Sequence, residues 1–145
     1  MHDLTLTGYR ALAEFRFQIR RFFHFSEEQV RSLGLEPQQH QLLLTVKGLP
    51  LGTNATISEL ADRLRLRHHS VVELVDRMQR HGYVVRGTGK QDRRQVIVRL
   101  TSSGSSVLRK LSLAHHQELE KAGPALFLAL RSIMKQTRAH RRNVA

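Results

Sequence analysis

The segment spanning residues 56–101 constrains the fold most, because its pattern of apolar residues changes from a helical to a strand period. Two short helical patterns come first, over residues 57–64 and 69–81, separated by a break of a few residues. One face of the second pattern carries the apolar residues Val71, Leu74, Val75 and Met78. Strand-like residues then lie on both sides of the glycine-bearing turn "GTGKQDRR". The segment therefore predicts a helix–turn–helix followed directly by a β-hairpin, which is a winged helix–turn–helix.

The boundaries of these elements carry capping signals. Thr56 begins a capping-box pattern, in which Glu59 reaches back to the residue that caps the third helix. Gly82 follows the fourth helix at the position that glycine favours, and Pro37 suits the first turn of the second helix. Thr101 offers an N-cap to a fifth helix after the hairpin.

Long apolar stripes flank this segment. The first runs from Tyr9 to Phe22 in steps of three and four residues, which is typical of an amphipathic helix. After the hairpin, Gly123–Pro124 is expected to break the fifth helix and start a sixth, giving about six helices in a mainly α fold. The terminal regions, residues 1–35 and 105–145, are predicted to form a dimerisation region around a winged helix–turn–helix domain of residues 36–104. The residues predicted to form the dimer interface are Leu12, Phe15, Ile19, Leu126, Leu130 and Ile133.

The chain is strongly basic, and the charge is concentrated. It has 24 Lys and Arg against 12 Asp and Glu, which gives a net charge of +12 and a pI near 11.5. Ten of the bases and three of the acids lie between Arg63 and Arg99, so this segment carries +7 of the total. Such a charge attracts polyanions, and its position on the helix–turn–helix and hairpin favours nucleic acid.

Several other classes of function find no support in the residue pattern. The absence of cysteine excludes a disulfide framework and a thiolate metal site. The adjacent pairs His68–His69 and His115–His116 point to different helix faces, so no metal site and no cofactor is expected. No catalytic motif is present, so no enzyme activity is expected. No window approaches the roughly 18 apolar residues of a membrane span, so a cytoplasmic protein without a membrane partner is expected.

Three stretches resemble the MarR family of transcriptional regulators. "ISELADRLRLRHHSVVELVDRMQRHGYVVR" resembles the helix–turn–helix of that family, and "LEPQQHQLLL" resembles the start of its second helix. "DRRQVIVRLTSSG" fits the family's wing signature of Asp-x-Arg, five residues, Leu-Thr, two residues and Gly. The resemblance spans almost the whole chain.

The resemblance implies a function as well as a fold. It implies a bacterial homodimer that binds pseudo-palindromic double-stranded DNA, associates with the nucleoid when bound, and usually represses transcription. It also implies a small-molecule inducer, here expected to be aromatic or amphipathic, because Phe22, Phe23 and Phe25 are candidates to line a pocket with the apolar face of the second helix. A protein–protein or RNA-binding module without operator specificity stays open as the alternative.

The wing contains the first group of candidate DNA-binding residues. Arg94 corresponds to the family's minor-groove arginine, and the negative potential of a narrow A·T-rich groove suits a guanidinium there. Asp92 is predicted to orient that guanidinium, although Asp is also favoured in turns for its local hydrogen bonds. Lys90 and Arg93 are predicted to contact phosphate.

The fourth helix contains the second group. The candidates near its N-terminus are His68, His69, Ser70, Val72 and Glu73. Ser70 can donate to phosphate or base, Val72 suits a thymine methyl group, and Glu73 can accept from cytosine N4. Glu73 is equally explained by the preference of acids for the first turn of a helix. Arg77 is a candidate for phosphate contact, or a partner for Asp76 or Glu73.

Arg65 and Arg67 depart from the family pattern, which usually has Gly and Ser at these two positions. Gly relieves a left-handed turn residue and Ser caps the following helix, so each Arg is expected to lower stability by about 1 kcal/mol. The turn gains two cations beside the expected phosphates, so both residues are DNA-binding candidates.

Overall fold

The structure, a computed structural model, describes residues 4–144, without the side chains of residues 140, 143 and 144. Within them lie five α-helices and a two-stranded antiparallel sheet. The helices are α1 (Leu6–Ser32), α2 (Pro37–Lys47), α3 (Ile57–Leu64), α4 (His68–Arg80) and α5 (Ser102–Val144). The strands are β1 (Val84–Thr88) and β2 (Val96–Leu100). The predicted fold class, mainly α with a β-hairpin after a helix–turn–helix, is confirmed.

The described residues form two compact units. We call residues 4–28 and 113–144 the helical unit, and residues 29–112 the winged unit. The domain boundaries predicted from the sequence lie at 35/36 and 104/105. The winged unit extends further in both directions because Val30 of α1 and Leu108 and Leu111 of α5 are buried in its core.

The core of the winged unit joins the helices to the hairpin. Its most buried members on the helices are Leu42, Leu43, Leu60, Val71, Val75 and Met78. The four apolar residues predicted to share the inner face of α4 are all buried, so that prediction is confirmed. Burial of a side chain of this size stabilises the fold by about 1.5–3 kcal/mol. Packing of α4 therefore leaves only its opposite face exposed.

The hairpin is held along both edges of β2. On one edge β2 pairs with β1, from Val84 opposite Leu100 to Thr88 opposite Val96. On the other edge, the Val98 N–H donates to the carbonyl of Ala55 at 2.9 Å, just before α3. Ile97 and Val98 point to opposite faces of the strand, yet both are buried. This second attachment accounts for the burial of Ile97.

The turn between α3 and α4 has an unusual backbone. Thr56 caps α3 as predicted, because its Oγ1 accepts the Glu59 N–H at 3.2 Å. The Glu59 carboxylate pairs with Arg63 at 2.8 Å, so the prediction that it reaches back is wrong. Arg65 has a φ of 55° and is the one non-glycine residue with positive φ in the described chain. Arg67 occupies the N-cap position of α4 without a side-chain cap hydrogen bond.

Hydrogen bonds and close packing explain why Thr101 and Gly104 occur in the segment "LTSSG" at the end of the hairpin. Thr101 Oγ1 accepts the Gly104 N–H at 3.1 Å, which caps α5. The same hydroxyl donates to the Gly82 carbonyl at 2.6 Å, and the Thr101 N–H donates to the Tyr83 carbonyl at 3.0 Å. A Cβ at position 104 would lie 2.1 Å from the Tyr83 carbonyl oxygen. Only glycine allows the first turn of α5 to pack this closely on the backbone that enters β1.

The predicted sixth helix is wrong, because α5 continues through Pro124. Proline removes one backbone hydrogen bond, the one that position 124 would donate to the Glu120 carbonyl. Glu120 and Pro124 are both exposed, so water can satisfy that carbonyl. The helix therefore loses one hydrogen bond there without ending.

The helical unit buries small and polar residues more than large apolar ones. His115 is buried, its Nε2 lies 2.7 Å from Ser26 Oγ, and the rings of Phe22 and Phe25 contact it edge-on. His115 of α5 therefore packs against α1 within this unit. Large apolar side chains are exposed on both helices of this unit, among them Tyr9, Leu12, Phe17, Phe127, Leu130 and Met134. Of the other residues predicted to form a dimer interface, Phe15, Ile19, Leu126 and Ile133 are half-buried.

Replacing Gly104 by Ala is expected to lower the free energy of unfolding by about 1–3 kcal/mol, because the new methyl group meets a backbone oxygen that cannot move alone. Urea unfolding followed by circular dichroism measures the change. Gly123→Ala is the control within the same helix, since a Cβ there meets nothing within 4 Å beyond its chain neighbours. It is expected to leave stability within about 0.5 kcal/mol, because the helix propensity gained by Ala is offset by the contact of its Cβ with the ring of Pro124, and equal effects of the two variants would contradict the packing argument.

Replacing Arg65 by Gly is expected to raise the free energy of unfolding by about 1 kcal/mol, because glycine adopts positive φ without strain. Arg65→Ala removes the same charge but keeps a Cβ in the left-handed region. It is therefore expected to leave stability within about 0.5 kcal/mol of the original. If the two variants have the same urea midpoint, the backbone at Arg65 carries no strain.

Candidate nucleic-acid interface

The exposed face of α4 is formed by residues on the side opposite its core stripe. His69, Glu73 and Asp76 follow one another at steps of four and three residues, so they share the centre of this face. Val72 borders one side, and Ser70 and Arg77 border the other. Val72 and Ser70 are half-buried, whereas Arg77 and His68 are exposed. The predicted base-contact residues therefore lie on one accessible surface of the winged unit.

The wing turn is a compact loop with an ordered backbone. The Gly89 N–H donates to the Gln95 carbonyl and the Gln95 N–H to the Asp92 carbonyl, each at 3.2 Å. Gly89 is buried, and a Cβ there would lie 2.7 Å from the Asp92 carbonyl oxygen. The loop thus holds Lys90, Arg93 and Arg94 at its tip, where all three are exposed.

Asp92 acts on the backbone of the wing. Its Oδ1 accepts the Arg94 backbone N–H at 2.9 Å. In the part of the chain that the structure describes, no ion pair joins the Asp92 carboxylate to the Arg94 guanidinium. The expected contact between the side chains is thus absent, and turn chemistry accounts for the carboxylate. Asp92 directs Arg94 only by fixing the main chain from which the side chain projects.

The turn between α3 and α4 presents a second set of cations. Arg65 and Arg67 are exposed, and within residues 4–144 neither side chain has a hydrogen bond or ion pair. Arg63, two residues earlier, is paired with Glu59. Two of the three arginines at this turn therefore keep their full charge available to an anion.

Pairing of charges within the winged unit leaves the surface positive. The Asp76 carboxylate is paired with Arg86 at 2.6 Å, so Arg77 is not its partner. Glu73 is exposed, and the described residues provide it with no ion pair. Among the described side chains, those of Lys90, Arg93 and Arg94 also have no hydrogen-bond or ion-pair partner. The bases of the turn and the wing are thus available to a polyanion, while two of the acids on α3 and α4 are neutralised.

Arg86 is the residue of this surface that the sequence did not reveal. Its guanidinium extends from β1 to two residues of α4, donating to Asp76 and to Gln79. The sequence contains no signal for this contact, because the pairing crosses from a strand to a helix. The spacing of Asp76 and Gln79, three residues apart on a helix, indicates only that they are neighbours.

The described residues form neither a metal site nor a membrane-spanning helix. No group of three or more His, Asp or Glu side chains is placed to hold a metal ion in residues 4–144. Within the same range, no helix combines the length and the apolar character that crossing a membrane requires.

Known proteins match the part of the chain that contains this surface. Residues 33–95 match a family model described as MarR family. The Bacillus subtilis protein named uncharacterized HTH-type transcriptional regulator YkoM is 27% identical over 118 residues, which are 78% of this chain and 73% of that protein. YfiV of the same bacterium, which has the same description, is 29% identical over 66 residues, 46% of this chain and 41% of its own length.

Solved structures match the fold of the whole chain. The MarR family transcriptional regulator AbsC from Streptomyces coelicolor superposes with a TM-score of 0.71 at 22% identity, over 99% of both chains. A mutant MarR from E. coli, complexed with operator DNA, matches with a TM-score of 0.63 at 20% identity, over 84% of this chain and 89% of that one. At these identities the likeness establishes the fold. The family match thus lies within the winged unit, and the whole chain shares its fold with solved structures of MarR family transcriptional regulators.

Proposed function

We propose that this protein is a homodimeric regulator that binds a pseudo-palindromic operator in double-stranded DNA and represses transcription. The observation that carries the proposal is the set of unpaired cations at both ends of one exposed surface. Arg65 and Arg67 lie at the start of α4, and Lys90, Arg93 and Arg94 lie at the wing tip, all within the winged unit.

The dimensions of α4 suit the major groove of DNA. Its 13 residues span about 20 Å at 1.5 Å per residue. The B-DNA major groove is about 12 Å wide, so it admits a helix of ordinary diameter, and only there are all four base pairs distinguishable. The exposed face of α4 carries hydrogen-bonding groups at His69, Ser70 and Glu73 and an apolar group at Val72. This mixture supports base reading better than a uniformly basic helix would.

The cations around α4 supply the sequence-independent part of the binding. We assign Arg65, Arg67, Arg77, Lys90 and Arg93 to phosphate contacts, which position a protein on the duplex without specifying sequence. Arg94 is assigned to the minor groove beside the operator half-site, where a narrow A·T-rich groove attracts a guanidinium. His68 precedes the face that reads bases and is assigned to the sugar–phosphate backbone.

The exposed apolar side chains of the helical unit support a homodimer. Leu12 on α1 and Leu130 on α5 are 43% and 41% exposed, and larger side chains such as Phe127 and Tyr9 are more exposed still. Phe127, Leu130 and Met134 lie together on one surface of α5, and large exposed apolar patches are uncommon on monomers and typical of subunit contacts. A two-fold dimer also places two α4 helices to read the two halves of a pseudo-palindrome.

Three further properties complete the proposal. The regulator acts in the bacterial cytoplasm at the nucleoid and has no catalytic activity. A small aromatic or amphipathic ligand releases it from DNA. Among the phenylalanines expected to line a ligand pocket, Phe23 is 56% exposed and can meet a ligand directly. Phe22 and Phe25 pack on His115, so a ligand must displace that contact to reach them.

Replacing Arg94 by Ala is expected to weaken binding to an operator with A·T-rich flanks by about 1–3 kcal/mol and to lower the salt slope by about one. The backbone N–H that Asp92 holds is kept in this variant, so the turn survives. The operator is first selected by the wild-type protein from a random duplex library, and affinity is measured by fluorescence anisotropy at several salt concentrations.

Arg109→Ala is the matched control for the Arg94 measurement, since it removes one exposed arginine from the same unit. It is expected to leave the preference for A·T-rich flanks intact. If both variants lose the same affinity and keep that preference, Arg94 does not read the minor groove. A wild-type protein that selects no common sequence would overturn the proposed function as a whole.

Replacing both Leu12 and Leu130 by Asp is expected to yield folded monomers, because the charges fall on exposed positions of the proposed interface and not in a core. Sedimentation velocity measures the mass, and circular dichroism checks the fold. Leu51→Asp is the control, since Leu51 is fully exposed in the winged unit. A double variant that sediments as a dimer would show that the subunits meet elsewhere.

A further inference from the structure

Arg86 connects the recognition surface of α4 to the strand that leads into the wing. Its Nη2 donates to Asp76 Oδ1 at 2.6 Å, and its Nη1 donates to Gln79 Oε1 at 2.7 Å. Two nitrogens of one rigid, planar group thus bind two residues that lie one turn apart on the helix. This geometry fixes the direction of the guanidinium as well as its distance from α4.

The contact is better suited to fixing geometry than to stabilising the fold. The side chains of Arg86 and Asp76 are 29% and 51% exposed, and an ion pair this accessible to water contributes little stability. Arg86 lies two residues before Thr88, where β1 ends and the wing turn begins. A constraint at Arg86 is therefore transmitted along the strand to the loop that carries Arg93 and Arg94.

Asp76 has a second reason to be paired. It shares the centre of the exposed face of α4 with His69 and Glu73, so its carboxylate points to the side on which phosphates would approach. An unpaired carboxylate there would repel the DNA backbone. Arg86 cancels this charge from the neighbouring strand, without adding a third arginine to Arg77 and Arg80 on α4 itself.

We infer that Arg86 is a positioning residue for DNA recognition. By bridging Asp76 and Gln79, it sets the orientation of the wing relative to α4, and thereby the distance between the bases read by α4 and the flank read by the wing. The inference rests on the proposed function, and it assigns to Arg86 no contact with DNA.

The first test varies the spacing between the two parts of the operator. One inserted base pair between the half-site core and its A·T-rich flank moves the flank by about 3.4 Å and rotates it by about 35°. Wild-type protein is expected to lose about tenfold in affinity for the selected operator on this insertion, whereas Arg86→Ala loses about threefold or less. A role in stability alone would leave the spacing preference of the folded protein unchanged.

The second test is a double-mutant cycle on the unmodified operator. If Arg86 acts through α4, the losses for Arg86→Ala and Asp76→Ala are non-additive by about five- to tenfold. If Arg86 instead binds phosphate, Arg86→Ala lowers the salt slope by about one, and Asp76→Ala strengthens binding whether or not Arg86 is present. Additive losses, or that lower slope, would overturn the inference.

Three variants keep the test interpretable. Gln79→Ala removes one of the two hydrogen bonds from an exposed residue, so it is expected to fold and to relax the spacing preference partly. Arg86→Lys keeps the charge but lacks the second donor of a planar fork, so it is expected to restore affinity more than spacing preference. Arg80→Ala removes an exposed cation from the same helix and is expected to leave the spacing preference intact.

The outcomes separate the inference from the proposed function. A wild-type protein that selects no sequence overturns both. A wild-type protein that selects an operator, with Arg86→Ala showing the same spacing profile, overturns the inference and leaves the proposed function standing. A relaxed profile in Arg86→Ala and Gln79→Ala, together with an unchanged one in Arg80→Ala, supports it.

Discussion

The hydrogen bonds that join the two ends of the hairpin are the interactions on which the candidate nucleic-acid interface depends. Thr101 binds the carbonyls of Gly82 and Tyr83, so the residue that leaves β2 is held to the residues that leave α4. Gly104 lets the first turn of α5 lie on the same backbone without a gap. Because α4, β1 and α5 meet at this point, the wing leaves the unit from a fixed base. A two-stranded hairpin would otherwise be only marginally ordered in water.

The surface built on this base keeps some charges paired and others available. The acids at Glu59 and Asp76 have arginine partners, whereas the cations at Arg65, Arg67 and the wing tip have none among the described residues. Exposed ion pairs contribute little stability, so leaving those cations unpaired costs the fold little. The consequence lies in binding, since each unpaired cation near a phosphate releases counterions and makes affinity depend on salt.

Local features of the sequence predicted much of this architecture. The inner face of α4 and the cap at Thr56 both follow from spacing or from a side chain that bonds a nearby N–H, and both are confirmed. The continuous α5 was missed because Gly123–Pro124 is a strong local break signal, although the helix loses only one hydrogen bond there, at the exposed residue Glu120. Most of the candidate DNA-binding residues are exposed as expected, whereas Ser70 and Val72 are half-buried, and the contacts of all of them with DNA stay predictions.

Contacts between elements lay beyond the reach of local reasoning. Arg86 was visible in the sequence only as a charged residue in a strand, because nothing local indicates that its partners lie on the preceding helix. Asp92 shows the opposite case. Its proximity to Arg94 suggested a contact between the two side chains. The Asp92 carboxylate instead accepts the Arg94 backbone N–H, which is a common hydrogen bond of Asp in turns.

Arg65 shows how the amino-acid alphabet itself limits this surface. The backbone there, with a φ of 55°, suits glycine or asparagine, neither of which carries a positive charge. Arginine and lysine carry the charge, but a left-handed backbone conformation is strained for both. No genetically encoded residue combines a positive charge with an unstrained left-handed backbone. Any sequence with this turn therefore has either the charge or the unstrained backbone at this position. A chain that places arginine there has kept the charge.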